Sequence, residues 1–364
     1  MKLTSKIIYM LNVFPAFSII FIFFNVYISS RFISLLLVPI ILFQKSTLIV
    51  DKYLLPIILL FYYFACYSLI AIIDNKNFII YFGYAASFLY IILMYYIVRF
   101  DTSLFIRFMK LFLIANVAYV IFQLFVLNAS LSNFSMLHSN SPAQVNYSIP
   151  IFIDNYLFRY TGLFNESAPF VFYLSIAYAF FHSLKSNYKK YALVLIIFSG
   201  SKAGYIFLLL HYAFFSEKVF VKSIFIALLA TFLVLFFAFY EDLSYMTSGQ
   251  TASLNHRFIN LINFDNYTWF GVDLEKTSEG KLGLNFLNIF VSGFGLFGLS
   301  LIFLAFATFY LLINTREKKY FITPLVVGLL SSGSLLIVQY SLLFASIFCL
   351  HSLSNNSRVY NDKY

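Results

Sequence analysis

The sequence predicts an all-α polytopic integral membrane protein with about 10 to 12 transmembrane helices and two long outer-face loops. Composition is the first reason: of the 364 residues, 62% are hydrophobic and 10% are charged. A soluble protein is typically about 45–50% apolar and about 25% charged. So few charges cannot cover a surface in water, which excludes a large soluble enzyme, a disulfide-stabilised scaffold and a disordered chain. The other two reasons are a series of apolar runs and an uneven distribution of Lys and Arg between them.

The apolar runs continue along the chain, so residues 1–364 are treated as a single transmembrane domain. A membrane helix needs about 20 mostly apolar residues, because lipid offers no other partner for its backbone amides. The first run lacks a small-residue cleavage site, which predicts a retained span and not a signal peptide. The predicted spans lie at 9–28, 31–44, 53–73, 77–98, 109–127, 167–184, 190–199, 202–215, 222–240, 285–313, 320–335 and 338–352.

Two polar stretches interrupt this series, at 128–166 and 241–284. Both are too long to be simple connections between neighbouring helices. They are predicted to be the first and second long loops, and each is a candidate to contribute to a site.

Basic residues predict the orientation of the chain. With a cytoplasmic N-terminus, the inner segments hold 17 of the 24 Lys and Arg residues and 5 acidic residues, a net +12. The outer segments hold 7 basic and 9 acidic residues, a net −2. Since Lys and Arg concentrate in cytoplasmic loops, both termini are predicted to be cytoplasmic. The overall charge of +10 is then a topology signal, and no nucleic-acid partner is expected.

Residues 190–215 allow two interpretations, one long helix or two short passes. One long helix would reverse the membrane orientation of every segment that follows it, and this would leave 13 basic residues inside against 10 outside. Two passes keep the asymmetry and bring both long loops to the outer face. They are shorter than the usual ~17 residues, and the polar residues 199–202 suit a helix break that lines a cavity. We therefore expect two passes.

Three polar clusters are candidates for chemistry. The first runs from Arg159 through Gly162 and Phe164 to Glu166 at the start of a predicted span. An Arg guanidinium suits a phosphate because its planar fork donates two parallel hydrogen bonds. A Glu at a helix start is also what the helix dipole alone favours, so a purely structural role for Glu166 stays open.

The second cluster comprises Ser199, Ser201 and Lys202, with Gly200 and Gly204 spaced as in a small-xxx-small packing motif. The lysine can meet a phosphate or can be a solvated turn residue. The glycine spacing more often indicates close helix packing than ligand contact.

The third cluster lies in the second loop, where His256 and Arg257 precede Trp269 and Gly271. A His beside an Arg is a candidate general base next to an anion site, or simply a solvated pair. Trp269 is the single tryptophan, and it suits either an interfacial anchor or a stacking surface for a sugar ring. The chain has no HExxH, CxxC or P-loop pattern, so neither a metal site nor an ATPase is predicted.

These clusters, in this order, resemble the bacterial O-antigen polymerase (Wzy) family, which belongs with the O-antigen ligases in a wider group. The segment 159–167 is similar to the family's Arg-x-Ser/Thr-Gly-x-Phe-x-Glu-Pro-Ser stretch, with Ser167 in place of Pro. Residues 198–205 resemble its Ser-x-Ser-Arg-x-Gly stretch, with Lys202 in place of Arg. Residues 255–257 and 269–271 resemble its outer-loop Arg and its later Phe-Gly-x-Gly, with Asp273 at the second glycine.

The resemblance implies an enzyme that joins oligosaccharide repeat units carried on undecaprenyl pyrophosphate, at the periplasmic face of the bacterial inner membrane. Arg159, Arg257 and Lys202 would bind the pyrophosphate, and Glu166, or else His256, would deprotonate the acceptor hydroxyl. Supporting or glycan-contacting residues would be Gly162, Phe164, Ser199, Ser201, Trp269 and Gly271. No metal or cofactor is expected. Partners would be the lipid-linked oligosaccharide, membrane lipid and, as is usual in such systems, a chain-length regulator protein.

Two other functions remain open. An O-antigen ligase, which transfers the finished glycan to a lipid A core sugar, shares the donor and the topology. A flippase for lipid-linked oligosaccharides would predict two related halves and charges inside the membrane. The sequence has neither, so the flippase is the weaker alternative.

Overall fold

The protein is described here from a computed structural model, which covers residues 20–23, 26–29, 51–73, 78–128, 162, 167–216, 218–238, 268–271, 286–331 and 339–361. These residues form ten α-helices and one short β-hairpin. The strands are β1 (Ile20–Phe23) and β2 (Val26–Ser29). The helices are α1 (Leu55–Ile73), α2 (Phe78–Phe100), α3 (Thr102–Asn128), α4 (Ser167–Ser183), α5 (Tyr188–Phe198), α6 (Lys202–Phe215), α7 (Val219–Ala238), α8 (Phe286–Leu312), α9 (Thr315–Ser331) and α10 (Gln339–Asn361).

The hairpin corrects the first predicted span, 9–28, which was expected to be helical throughout. β1 and β2 pair antiparallel, with Phe23 opposite Val26 and Ile20 opposite Ser29. Their residues are mostly β-branched and aromatic, and such residues favour a pleated strand. The prediction of one helix rested on the length of this 20-residue apolar run, and the periodicity of an apolar run alone does not distinguish a helix from strands, which is why the prediction was wrong here.

Helix α4 is the centre of the bundle. Every side chain from Phe170 to Phe181 is buried. A helix that is apolar on all sides finds partners on all sides when it is surrounded by other helices. Its neighbours are α3, α5, α6, α9 and α10, through pairs such as Phe112–Tyr173 and Phe172–Tyr340, whose ring centroids are 5.2 and 4.9 Å apart.

The contacts place the helix ends at two opposite ends of the bundle. The loop end carries the ends of α3 and α7 and the starts of α4 and α8, where the two long loops join the helices. The other end is called the basic end. The pairs that fix the helix directions are Tyr67–Tyr81, Phe105–Phe180, Phe181–Tyr188, Tyr178–Phe207, Tyr212–Phe225, His182–Tyr320, Phe309–Phe321, Phe172–Tyr340, Tyr95–Phe348 and Phe64–Phe294.

The described basic residues divide unevenly between these two ends. At the loop end, the part of the chain that the structure describes has a single basic position, Lys202, the first residue of α6. The residues that lie toward the basic end are Lys52, Arg99, Arg107, Lys110, Lys185, Lys189, Lys190, Lys218, Lys222, Arg316, Lys318, Lys319 and Arg358. The end-to-end asymmetry read from the sequence therefore recurs in three dimensions among these residues.

Within the described parts of the chain, four helical segments are long and apolar enough to cross a membrane: Leu55–Ile73, Tyr81–Arg99, Thr102–Phe122 and Gly293–Leu312. Three further apolar helices are shorter, Pro169–Ser183, Ala203–Phe214 and Val219–Leu228. From residue 53 onward, the predicted helical spans correspond to the observed helices. At most of the helix ends, the predicted boundary lies within a few residues of the observed one. The predicted span 31–44 lies outside the described residues.

Candidate functional site

Gly162 is the described part of the first cluster. It has a φ of 56° and is buried between α3 and the first turns of α4. A Cβ built on it would lie 2.5 Å from Oδ1 of Asn116 and 2.6 Å from the ring of Phe170. The backbone therefore passes through a space that only glycine fills without displacement, and its φ is one that glycine adopts without strain. The predicted supporting role of Gly162 has this physical basis.

Asn116 is the polar residue of α3 that lies against Gly162. It is fully buried on α3, and its Nδ2 donates to the Phe112 carbonyl at 2.9 Å. The amide thus keeps a hydrogen bond within its own helix while its oxygen lies beside Gly162. The buried Asn116 amide limits movement of the adjacent turn, because a displaced amide would lose hydrogen bonds that buried polar atoms need.

The second cluster is a sharp reversal between α5 and α6. Ser199 is fully buried, and its Oγ donates to the Ile196 carbonyl at 2.7 Å and accepts from the Ser201 amide at 3.3 Å. Gly200 has a φ of 59°. Ser201 has an extended backbone, and its carbonyl accepts from the Gly204 amide at 2.9 Å. Both serines therefore support the turn.

The reversal confirms the two-pass interpretation of residues 190–215. Tyr188, at the start of α5, packs on Phe181 near the end of α4. After the turn, Gly204 lies beside Val171 near the start of α4, with a built Cβ 3.4 Å from the Val171 Cγ1. Helix α5 therefore runs antiparallel to α4, and α6 runs parallel to it.

The first two clusters consequently both pack against the start of α4, on different faces of that helix. Gly162 packs on Phe170 and Gly204 packs on Val171, which are neighbours in the first turns of α4. The N-terminal turns of α4 and α6 lie side by side. Each helix N-terminus carries unsatisfied amide groups and a partial positive charge of about half an elementary charge. The pair therefore produces a positive potential at the loop end, where an anion would be favoured.

The third cluster is tied to a kink in α8. Gly295 has a φ of 70° and interrupts the helix. The Leu296 amide donates to the Thr268 carbonyl at 3.0 Å, and the Phe297 amide donates to the Trp269 carbonyl at 3.1 Å. Gly271, with a φ of 76°, lies against the Gly293 backbone, so that a Cβ there would be 2.5 Å from its carbonyl oxygen.

Tyr67 of α1 completes this connection. Its hydroxyl donates to the Phe270 carbonyl. Trp269 and Phe270 themselves extend outward, with 71% and 67% of their surfaces exposed. Residues 268–271 of the third cluster thus lie against α1 and α8, whereas Gly162 lies against α3 and α4 and Gly204 lies against α4.

Several predicted site residues lie outside the described part of the chain. These are Arg159, Phe164, Glu166, His256 and Arg257. Lys202 is described in its backbone only, as the first residue of α6. Among the described residues, no group of three or more His, Cys, Asp or Glu side chains is arranged to hold a metal ion.

Comparison with known proteins leaves the chain without an assigned family. No family model, curated protein or solved structure matches it. The support for the candidate site is its own geometry together with the motif resemblance.

Sequence reasoning did not anticipate the roles of Tyr67 and Gly295. Tyr67 is one of 29 tyrosines, and nothing in its local sequence distinguishes it. Gly295 belongs to the run Gly293-Phe294-Gly295, and paired glycines inside an apolar span are a recognisable signal for a kink. That signal alone does not identify residues 268–271 as the segment that packs there.

Proposed function

We propose that the protein is a polytopic membrane glycosyltransferase that joins undecaprenyl-pyrophosphate-linked oligosaccharide repeat units into a surface polysaccharide at the periplasmic face of the inner membrane. The observation that carries the proposal is the contact of Gly162 and Gly204 with consecutive residues of α4. This contact brings two separate motif segments against the start of the same helix, with the start of α6 beside it. In the proposed enzyme this end of α4 receives the pyrophosphate of the donor.

The membrane placement is supported by the outer faces of the helices. Large apolar side chains such as Leu59, Leu69, Leu111 and Leu304 are more than half exposed. Contiguous apolar patches of this kind are rare on soluble monomers and mark membrane or protein contacts. With the basic residues toward one end, the positive-inside rule places that end in the cytoplasm and the loop end outside.

The chemistry follows from the leaving group. In the proposed reaction an acceptor hydroxyl attacks the anomeric carbon of the growing chain, and the lipid pyrophosphate leaves. Negative charge develops on the pyrophosphate, so fixed positive groups stabilise the transition state most. The amide groups at the neighbouring starts of α4 and α6 are proposed to supply such groups, and Lys202, the first residue of α6, is proposed to add a cation.

The other proposed roles, pyrophosphate binding and proton acceptance, are assigned to loop residues from the motif resemblance. Arg159 and Arg257 are proposed to bind the pyrophosphate, and Glu166, or else His256, to accept the proton of the acceptor hydroxyl. In the sequence, Glu166 directly precedes Ser167, the first residue of α4.

Reconstitution tests the proposal. The full chain is placed in lipid vesicles with a synthetic polyprenyl-pyrophosphate-linked oligosaccharide, and the products are resolved by electrophoresis or mass spectrometry. The expected result is a ladder of lipid-linked chains that grow by whole repeat units. Translocation of the substrate without elongation would instead support a flippase.

A deletion strain separates the polymerase from the ligase. Loss of a polymerase leaves a single repeat unit on the lipid A core, and complementation with this chain restores the ladder. Loss of a ligase leaves the core bare. A bare core, with polymer still accumulating on the lipid carrier, would contradict the polymerase proposal.

A further inference from the structure

Helices α3 and α5 run in the same direction, away from the basic end. Both are antiparallel to α4, and the ring pairs that show this for α3 are Phe105–Phe180 and Phe112–Tyr173. The two helices meet where the Lys110 Nζ of α3 lies 5.1 Å from the centre of the Tyr188 ring, at the first residue of α5. This contact fixes the level of one helix relative to the other.

The outward face of α3 changes from polar to apolar beside Lys110. The exposed positions that precede it are Ser103 and Arg107, and the large apolar side chains of residues 102–110, all of which the structure describes, are buried or half-buried. After Lys110 the same face carries side chains that are 47% exposed or more, Leu111, Ile114 and Ile121. On this face the polar surface therefore ends, and an apolar surface begins, at Lys110.

Helix α5 shows the same change at the same level. Its first turn carries Lys189 and the exposed Lys190, and Lys185 is exposed in the turn before it. The positions that follow on its outward face are 49% exposed or more, namely Tyr191, Val194 and Phe198. Since Tyr188 contacts Lys110, the polar–apolar boundaries of the two helices coincide to within about one helical turn.

The two apolar surfaces border one groove. Ile114 lies about 40° clockwise from Lys110 around α3, and Tyr191 lies about 60° anticlockwise from Tyr188 around α5, when both helices are viewed from their N-terminal ends. In parallel neighbours that touch at Lys110 and Tyr188, these opposite rotations point to the same outer side. The α3–α5 groove is therefore lined by apolar side chains on both helices and has lysines at its basic end.

The charge at that end of the groove is of one sign. Residues 102–122 and 184–198 contain no Asp or Glu. Asp101, which precedes α3, caps that helix, because its Oδ1 accepts from the Leu104 amide at 2.9 Å and from the Ser103 Oγ at 2.8 Å. The lysines that adjoin the groove are Lys110, Lys185, Lys189 and Lys190.

We propose that the α3–α5 groove binds an anionic phospholipid of the cytoplasmic leaflet, with its phosphate among these lysines and an acyl chain along the apolar lining. Basic pockets between membrane helices on the cytoplasmic side suit acidic headgroups. A phospholipid matches the groove better than an acidic peptide, because the apolar lining continues directly from the cations on both helices. The inference rests on the membrane placement proposed above and not on the polymerase reaction.

Native mass spectrometry of the full-length protein in a non-ionic detergent tests the groove without any glycan substrate. The protein is titrated with dioleoyl phosphatidylglycerol or with dioleoyl phosphatidylcholine, which has the same acyl chains and a zwitterionic headgroup. The site variant combines Lys110→Gln with Lys190→Gln. The matched control combines Lys218→Gln with Lys222→Gln, which removes the same charge from the same end of the bundle at the start of α7.

The expected result is preferential binding of phosphatidylglycerol that the site variant weakens roughly tenfold and the control weakens less than about twofold. Lys110→Arg combined with Lys190→Arg keeps both charges, so it should keep the affinity and shows that any loss in the Gln variant is not misfolding. Phosphatidylcholine binding should be the same in all four proteins.

Three outcomes would overturn the proposal. Equal losses in the site variant and the control would mean that the whole basic end attracts anions without a specific groove. Complete displacement of phosphatidylglycerol by inorganic phosphate would indicate a site for a soluble anion, and equal affinity of the wild type for the two lipids would show that the lysines bind no headgroup. Protein that stays monodisperse without detergent and binds neither lipid would refute the membrane placement itself, whereas the first three outcomes leave the polymerase proposal standing.

Discussion

Gly162 and Asn116 occupy adjoining space beside the first turns of α4, where a Cβ on Gly162 would lie 2.5 Å from the Asn116 Oδ1. One residue belongs to the first motif segment and the other to the middle of α3. Their contact holds the chain that precedes α4 against the bundle. The position of the Gly162 turn thus depends on packing inside the bundle as much as on its own sequence.

Replacing Gly162 by Ala is expected to destabilise the protein by about 2 kcal/mol or more, because the φ of 56° is strained for alanine and the new methyl group overlaps Asn116 and Phe170. The measurement is thermal unfolding in detergent, together with the glycan ladder in the complemented deletion strain. We expect a lower melting temperature and shorter or absent chains.

Gly204→Ala is the matched control, since this glycine has helical geometry. Its new Cβ would lie 3.0 Å from the Ile196 Cγ2, which can shift slightly, while alanine gains up to about 1 kcal/mol of helix propensity over glycine. We expect nearly unchanged stability. Equal melting temperatures for Gly162→Ala and the wild type would contradict the close packing described above.

The Trp269 turn, defined as residues 268–271, offers a second test through Tyr67→Phe. The variant removes the hydroxyl that donates to the Phe270 carbonyl, a bond whose loss typically costs about 1 kcal/mol. We expect lower steady-state fluorescence anisotropy of the single tryptophan, because one of the connections that hold the turn is gone. Tyr62→Phe is the control, as Tyr62 lies on the same helix and is 61% exposed. Unchanged anisotropy in Tyr67→Phe would mean that α8 alone fixes the turn.

The proposed chemistry predicts that Arg159→Ala and Arg257→Ala each abolish chain extension while the protein still accumulates in the membrane. Both changes remove a cation proposed to stabilise the pyrophosphate leaving group. Immunoblots of membranes and the surface-glycan ladder measure the two properties. Arg107→Ala is the control, because Arg107 is exposed and lies toward the basic end. This variant is expected to keep full chain extension. Normal long chains from both loop variants would refute the site assignment.

The helices were predictable from residue 53 onward because membrane-length apolar runs are a strong signal. The break at Ser199–Ser201 was also predictable, from short polar residues between two apolar runs and from the charge asymmetry. The hairpin at 20–29 was not, since Ile, Phe, Val and Tyr in a short run suit either structure. Contacts between distant segments, such as the Trp269 turn on Gly295, need three-dimensional packing that no local pattern encodes.

The residues of the candidate site were likewise predictable from the sequence only in part. The sequence identified Gly162, Ser199 and Ser201, and the structure gives each a supporting role through burial or turn hydrogen bonds. That α4 receives both segments on consecutive residues was not foreseeable, because it depends on α6 running parallel to α4. The proposed cations Arg159 and Arg257 remain predictions, as they lie outside the described residues.

Glu317, at the basic end, provides a stability test that is remote from the proposed site. Its carboxylate is buried and caps the start of α9, accepting from the Asn314 amide and from the Asn314 Nδ2, both at 3.3 Å. The Ser354 Oγ of α10 donates to it at 3.5 Å, and the His351 Nδ1 lies 3.6 Å away. The carboxylate thus makes the Glu half of a capping box and also contacts a second helix.

Glu317→Ala is expected to lower the stability by about 1–3 kcal/mol, because it removes the hydrogen bonds between the buried carboxylate and the half-buried Asn314. Glu317→Gln keeps one acceptor oxygen, so its loss should be smaller. Thermal unfolding in detergent ranks the two variants. Since the cap lies at the basic end, the folded fraction of each variant is expected to elongate glycan at the wild-type rate. Equal stability of Glu317→Ala and the wild type would show that the cap contributes little. A selective loss of elongation in Glu317→Gln would contradict the site assignment, because it would mean that residues at the basic end take part in the reaction.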